Sequence, residues 1–134
     1  MNNSTTPTQS IYDLNGSVLI IENDNLICNA INDILTSVGM QVLIANDGLT
    51  GETMYRQHQQ EIDMVILDLR LPRQNGSVTL RHIREVNPNV NVMISSGHSI
   101  DEIEDQLGDQ RPVTILSKPF NIDTLLNQVQ KILA

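Results

Sequence analysis

The sequence predicts a doubly wound α/β fold, five parallel strands alternating with five helices, and three observations carry that expectation. Short apolar runs recur along the chain and read as buried strands. Between them lie segments whose apolar residues return at helical spacing. Polar or charged residues stand where the runs end. Strands alternating with helices build a parallel sheet, because parallel neighbours require crossover connections and those connections are right-handed.

Taken in order, residues 1–16 are polar, contain Pro7 and Gly16 and show no apolar period, so they read as a flexible extension ahead of one domain over 17–134. Val18-Leu19-Ile20-Ile21 is the first strand and ends on the cluster Glu22-Asn23-Asp24-Asn25. Ile27, Ala30, Ile31, Ile34, Leu35 and Val38 then recur at helical spacing, and Gly39 supplies the stop. Val42 to Ala45 is the second strand, and the helix from Asp47 to about His58 is weakened by Gly48 and Gly51 near its start. Met64-Val65-Ile66-Leu67 forms the third strand, which ends abruptly on Asp68. Pro72 stops a simple continuation and Gly76 permits a tight turn before the helix carrying Val78, Leu80 and Ile83, closed near Pro88. The fourth strand is expected over Val90 to Ser95, interrupted by Asn91, with a short acidic helix (Ile100, Ile103, Leu107) after it. Val113-Thr114-Ile115-Leu116 is the fifth, and Asn121 caps a last amphipathic helix bearing Leu125, Val129, Ile132 and Leu133.

Composition narrows the functional classes. A chain of 134 residues suits a single domain with a proper core. Its one cysteine argues against a disulfide framework or a zinc site, and Cys28 falls on the apolar side of a helical pattern, where it reads as a small buried hydrophobe. A formal charge of -8 disfavours nucleic acid and anionic membrane, since both ask for a basic face. No run is long enough to span a bilayer, and the first residues lack the basic start and apolar centre of a signal peptide. A cytoplasmic protein is the expectation.

Right-handed crossovers bring the carboxyl ends of parallel strands to one edge of the sheet, where ligands and chemistry collect. That edge receives Glu22 and Asn23 after the first strand, Asp68 after the third, Ser96 after the fourth and Lys118 after the fifth. With strand order 2-1-3-4-5, Glu22, Asn23 and Asp68 line one crevice, flanked by Ser96 and Lys118. Taken alone, Asp68 reads as a strand-end or helix-capping carboxylate, and only the residues around it favour a functional role.

Four elements taken together resemble the receiver domain of bacterial two-component response regulators. They are the acidic loop Glu22-Asn23-Asp24, the spacing Asp68-x-x-x-Pro72-x-x-x-Gly76, Ser96-Gly97, and Lys118-Pro119-Phe120. The resemblance covers residues 17 to 133 and implies a flavodoxin-like receiver fold. It also implies that Asp68 accepts a phosphoryl group from a histidine kinase or phosphotransfer protein, assisted by magnesium. Asp68 would ligate the metal, Glu22 would hold it through water, Asn23 would face it, and the Arg70 carbonyl would be a further oxygen. Lys118 would pair with Asp68 and then with the phosphoryl oxygens, Ser96 would offer its hydroxyl, and the Lys118-Pro119 bond would be cis. The implied protein is a phosphoryl acceptor rather than an enzyme, at most catalysing its own phosphorylation and dephosphorylation. It would signal to an output protein or fused domain, as a monomer or a weak phosphorylation-dependent dimer.

Three departures qualify the resemblance. Asn23 stands where a second carboxylate is usual, and either its amide oxygen or a displaced Asp24 would serve the metal. Ile115 replaces the aromatic that usually turns inward on activation, so coupling is expected through Ser96 and the loop from Gly97 to Asp101 toward the face of the fourth helix, fifth strand and fifth helix. Arg70 and His98 overlook the acceptor: Arg70 would either steady a phosphoryl group or obstruct donors, and His98 is either a modulator or a plain loop residue. Asn23 and Ile115 together keep a second reading open, an atypical receiver-like interaction module with reduced or no phosphorylation. A flavodoxin-like cofactor binder fits less well, because Glu22 would repel phosphate, and an aspartate-nucleophile phosphatase would want an acid where Arg70 stands. No DNA-binding or catalytic output domain is expected within the chain, which reads equally as a stand-alone receiver or as a piece of a longer regulator.

Overall fold

A computed structural model describes residues 12–110 and 114–134. Strands and helices alternate as β1 (Ser17–Ile21), α1 (Asn25–Ser37), β2 (Gln41–Ala45), α2 (Gly48–His58), β3 (Met64–Asp68), α3 (Gly76–Val86), β4 (Val92–Ser96), α4 (Ile100–Leu107), β5 (Thr114–Ser117) and α5 (Ile122–Leu133). The sheet is parallel throughout, in the order β2-β1-β3-β4-β5.

Side chains alternate across each strand, and that period of two divides the core in halves. Val18, Ile20, Met64, Ile66, Met93 and Leu116 pack with Ile31 and Leu35 of α1 and Leu125 and Val129 of α5. Leu19, Ile21, Val65, Leu67 and Ile94 face the other way, against Tyr55, Leu80, Ile83 and Ile103. Burying one such aliphatic side chain stabilises by about 1.5–3 kcal/mol. A one-residue slip of β3 would exchange its whole set between the two halves and turn Asp68 to the opposite face. The core therefore sets the position of the carboxylate.

Helix starts follow capping chemistry. Asp24, Asp47, Asn75 and Asn121 accept N–H groups of the first turns of α1, α2, α3 and α5, and Ser99 with Glu102 forms a capping box on α4. α2 shows where packing overrides propensity. Gly48 and Gly51 each cost a helix about 1 kcal/mol relative to alanine, yet a Cβ on Gly51 would lie 2.6 Å from Ile21 Cδ1, and one on Gly48 would lie 2.0 Å from the Gln74 carbonyl oxygen. The glycines let α2 lie directly on the sheet and on the β3–α3 loop.

Several boundaries differ from the sequence expectation. β4 begins at Val92 rather than Val90, because the Val90 N–H closes a turn onto the Asn87 carbonyl beside Pro88, although Val90 itself stays buried. Val113 lies outside the described residues, as do residues 1–11 of the expected extension. Within that extension Tyr12 and Leu14 are buried, the Leu14 N–H donates to the Val38 carbonyl, and the Tyr12 hydroxyl donates to Asn127 of α5. Two apolar residues create no period, so only their tertiary neighbours reveal this packing. Ile100, counted among the apolar positions of α4, is exposed.

Candidate functional site

Three charged side chains reach one place because the period of two continues past the strand ends. Glu22 follows Val18 and Ile20 on the same face, kept extended by its N–H bond to the Ala45 carbonyl at 3.0 Å. Asp68 closes β3 on the face of Met64 and Ile66. Lys118 follows Leu116, and its N–H donates to the Ser96 carbonyl at 2.8 Å. The Lys118-Pro119 peptide bond is cis.

The Lys118 ammonium donates to Glu22 Oε1 at 2.7 Å and lies 3.6 Å from Asp68 Oδ2. Lys118 thus bridges two carboxylates and leans toward Glu22, whereas the resemblance pairs it with Asp68. Glu22 is 2% exposed and Asp68 9% exposed. The remaining oxygens take backbone donors: Glu22 Oε2 accepts the Asp24 N–H at 3.1 Å and Asp68 Oδ1 accepts the Arg70 N–H at 3.2 Å. Burial pushes the Glu22 carboxyl above its ordinary value; the Lys118 and Asp24 donors oppose this, and the neighbouring Asp68 charge adds to it. One ammonium against two carboxylates leaves an excess negative charge in a partly desolvated edge. A further unit cation about 4 Å from one carboxylate would gain roughly 4 kcal/mol of gross attraction at an effective dielectric near 20, before desolvation is subtracted.

The other expected residues surround this centre unevenly. Asn23 and Arg70 have exposed side chains and, with Asn75 and Gln106, line an open cleft on the same edge. Asp24 is held away as the N-cap of α1, its Oδ1 accepting the Leu26 and Ile27 N–H groups at 2.9 and 3.4 Å. Ser96 is buried and its Oγ accepts the His98 N–H at 3.0 Å. His98 Nδ1 lies 3.4 Å from Glu102 of the capping box, and Ile115 is half-buried among the residues facing α4.

Two features went unseen in the sequence. The Glu22 carbonyl accepts from both the Cys28 thiol, at 3.3 Å, and the Asn46 side-chain amide, at 3.0 Å, which anchors the first loop from α1 and from the end of β2. Cys28 is buried as its pattern suggested, and burial, reinforced by the Glu22 and Asp24 charges, pushes its thiol up to about 11. The second is an apolar cleft of about 900 Å³ beside Lys118, lined by Leu26, Ile27, Ala30, Ile34, Phe120 and Ile122. Leu26 is 81% and Ile122 55% exposed, off the core faces of their helices. Neither feature leaves a local signal, because both join residues far apart in the chain.

Among the described residues no group of three or more His, Cys, Asp or Glu side chains could hold a metal. The oxygen donors at the strand edge are the Glu22 and Asp68 carboxylates, with the exposed Asn23 amide beside them. That set suits a hard cation that keeps several waters, and the uncompensated charge around Lys118 fits a cation there.

Residues 18–130 match a family model described as the response regulator receiver domain. The transcriptional regulatory protein ZraR of Escherichia coli is 28% identical over 120 residues, 90% of this chain and 27% of that protein. The regulatory protein VanRB of Enterococcus faecalis is 29% identical over 116 residues, 87% of this chain and 51% of that protein. The chain therefore spans between about a quarter and a half of these relatives. Among solved structures, the CheX-CheY-BeF3-magnesium complex of Borrelia burgdorferi matches with a TM-score of 0.82 at 25% identity, covering 89% of this chain and 90% of that one.

Proposed function

The chain belongs to the response regulator receiver domain family, and from that premise we propose that Asp68 accepts a phosphoryl group from a histidine kinase or phosphotransfer protein and that the modified domain signals to a partner or fused output domain. The observation that carries this reading is the Glu22–Lys118–Asp68 constellation, three charged groups from three strand ends on one face. In the transfer, a carboxylate oxygen of Asp68 forms a bond to phosphorus as the bond from phosphorus to the donor's imidazole nitrogen breaks. Protein side chains do little covalent work in such a step; positioning and charge neutralisation decide the rate. Lys118 neutralises charge at the acceptor and, by releasing Glu22, can follow the new phosphoryl oxygens. Ser96 offers its hydroxyl to one of them after turning from the His98 N–H.

Magnesium, which the Borrelia CheY complex contains, would be held here by Asp68, by the Arg70 carbonyl, by Asn23 and by Glu22 through water. When bound it would offset the charge of the phosphoryl group and of the acceptor. The reading is tested by incubating the protein with magnesium and a small phosphodonor, then looking by mass spectrometry for one added phosphoryl group that Asp68→Asn abolishes. Unmodified wild-type protein at saturating donor would favour an interaction module that signals by binding alone, the reading to which the exposed Asn23 amide lends support.

The amide also yields a quantitative expectation. Restoring the acid with Asn23→Asp places a unit charge beside the metal, and after desolvation and repulsion are subtracted a gain of roughly 1 to 2 kcal/mol, about tenfold or more in magnesium affinity, should survive. Calorimetric titration of both proteins checks it. Asp24 is committed as a helix cap, so equal affinities would mean that the site does not use the metal.

A further inference from the structure

The loop after Asp68 carries Arg70, and its shape is imposed by α2. Arg73 adopts a left-handed backbone with φ of 68°, a conformation that costs a non-glycine residue energy and persists only where its surroundings hold it. Its guanidinium lies 3.2 Å from Asp47, the N-cap of α2. Beside it the Gln74 amide donates to Glu52 Oε1 and to Thr79 Oγ1, both at 3.0 Å. Glu52 Oε1 also meets His82 Nδ1 at 2.7 Å, while its Oε2 accepts from Arg56 at 3.1 Å. The Gly48 N–H reaches the Pro72 carbonyl at 3.4 Å, and a Cβ on Gly48 would strike the Gln74 carbonyl. The loop is tied from α2 by two side chains, a backbone donor and direct contact.

Glu52 is the hub of these ties. It joins α2, α3 and the loop through one carboxylate, and the hydrogen bonds from Gln74, His82 and Arg56 outweigh its burial and hold its carboxyl below the ordinary value. A charged acceptor makes stronger hydrogen bonds than a neutral one. These ties run among α2, α3 and the loop, and the hydrogen bond at Asp68 comes from the Arg70 N–H. We infer that Glu52 is a positioning residue for the Asp68 site: through Gln74 it holds the β3–α3 loop in the shape that presents the Arg70 N–H to Asp68 and would present the Arg70 carbonyl to the metal. This inference rests on the reading of Asp68 as a magnesium-assisted phosphoacceptor.

The test uses the full chain and Glu52→Ala, Gln74→Ala, their double variant and Arg56→Ala. Arg56→Ala is the control, since it removes a partner of Glu52 on α2 and leaves the loop tie in place. Two measurements are made: amide hydrogen exchange of Arg70, Leu71 and Arg73 without metal, and magnesium affinity by calorimetry. Glu52→Ala and Gln74→Ala should each speed exchange in the loop and weaken magnesium by about threefold to tenfold, less than the 10–100-fold typical of groups bonded directly to a ligand. The double variant should lose no more than Gln74→Ala alone, because Glu52 reaches the loop through Gln74, and Arg56→Ala should match wild type in both measurements. Unchanged loop exchange would overturn the inference. Faster exchange with wild-type magnesium affinity would also overturn it, leaving a purely structural tie. If wild-type protein neither bound magnesium nor took up a phosphoryl group, the functional reading would fail and the positioning role with it. The metal-free exchange data distinguish that result from failure of the tie itself.

Discussion

Gly76→Ala should lower stability by about 2 to 4 kcal/mol, the upper end of what forcing extra volume into a packed interior costs. Gly76 opens α3 where the helix returns onto the strand it follows, and its N–H donates to the Leu69 carbonyl at 2.9 Å. A Cβ there would stand 2.4 Å from the Asp68 carbonyl oxygen and 2.6 Å from Leu69 Cα. Both neighbours are backbone atoms of the strand end, so no side-chain rotation relieves the contact. Better helix propensity returns at most about 1 kcal/mol. Either α3 moves away from the sheet or Asp68 moves with its carbonyl, so stability and the acceptor geometry should suffer together. Urea unfolding measures the first and phosphoryl uptake the second. Gly97→Ala is the matched control, because a Cβ at Gly97 meets nothing within 4 Å, and a change within about 0.5 kcal/mol is expected there. Equal stabilities for the two variants would show that α3 is not held against Asp68 in solution.

Lys118→Met should cost roughly 2 to 3 kcal/mol in metal-free protein near neutral pH, somewhat under the 3–5 usual when a buried pair loses one partner, because the ammonium is partly solvated. Its loss leaves Glu22 and Asp68 facing one another. The sign with pH follows from Glu22, whose carboxyl is already raised above its ordinary value of 4.5. A raised carboxyl binds more protons in the native state than in the unfolded chain, so its contribution is complete below the ordinary value and is lost as pH rises through the native one. Removing Lys118 removes a group that lowers the Glu22 value and should extend that window upward. The variant should therefore be closest to wild type at about pH 4.5 and fall progressively behind toward neutral pH, and magnesium should return part of the loss by binding only the native state. Urea midpoints at several pH values, with and without magnesium, check this. A deficit independent of pH would mean that Lys118 contributes packing rather than charge.

Whereas the division of each strand between two core halves came from the structure, the alternation of strands and helices and the arrival of Glu22, Asp68 and Lys118 at one edge were legible in the sequence. Both follow from local rules: a period of 3.6, a capping residue, or a charge at the end of an apolar run. The family resemblance rested on the same strand-end residues, and the match over residues 18–130 agrees with it. Local rules also place Asn23, Arg70 and Ser96 near that edge, but they do not say which way their side chains turn. Tertiary structure decided that Lys118 leans on Glu22, that Asp24 is spent on a helix cap, that Tyr12 and Leu14 join the core, and that α2 ties down the loop after Asp68 through Glu52 and Gln74. These are contacts between residues as much as 115 positions apart. Their energies depend on which donor fills which acceptor once the core has set the distances, and no periodicity encodes that choice.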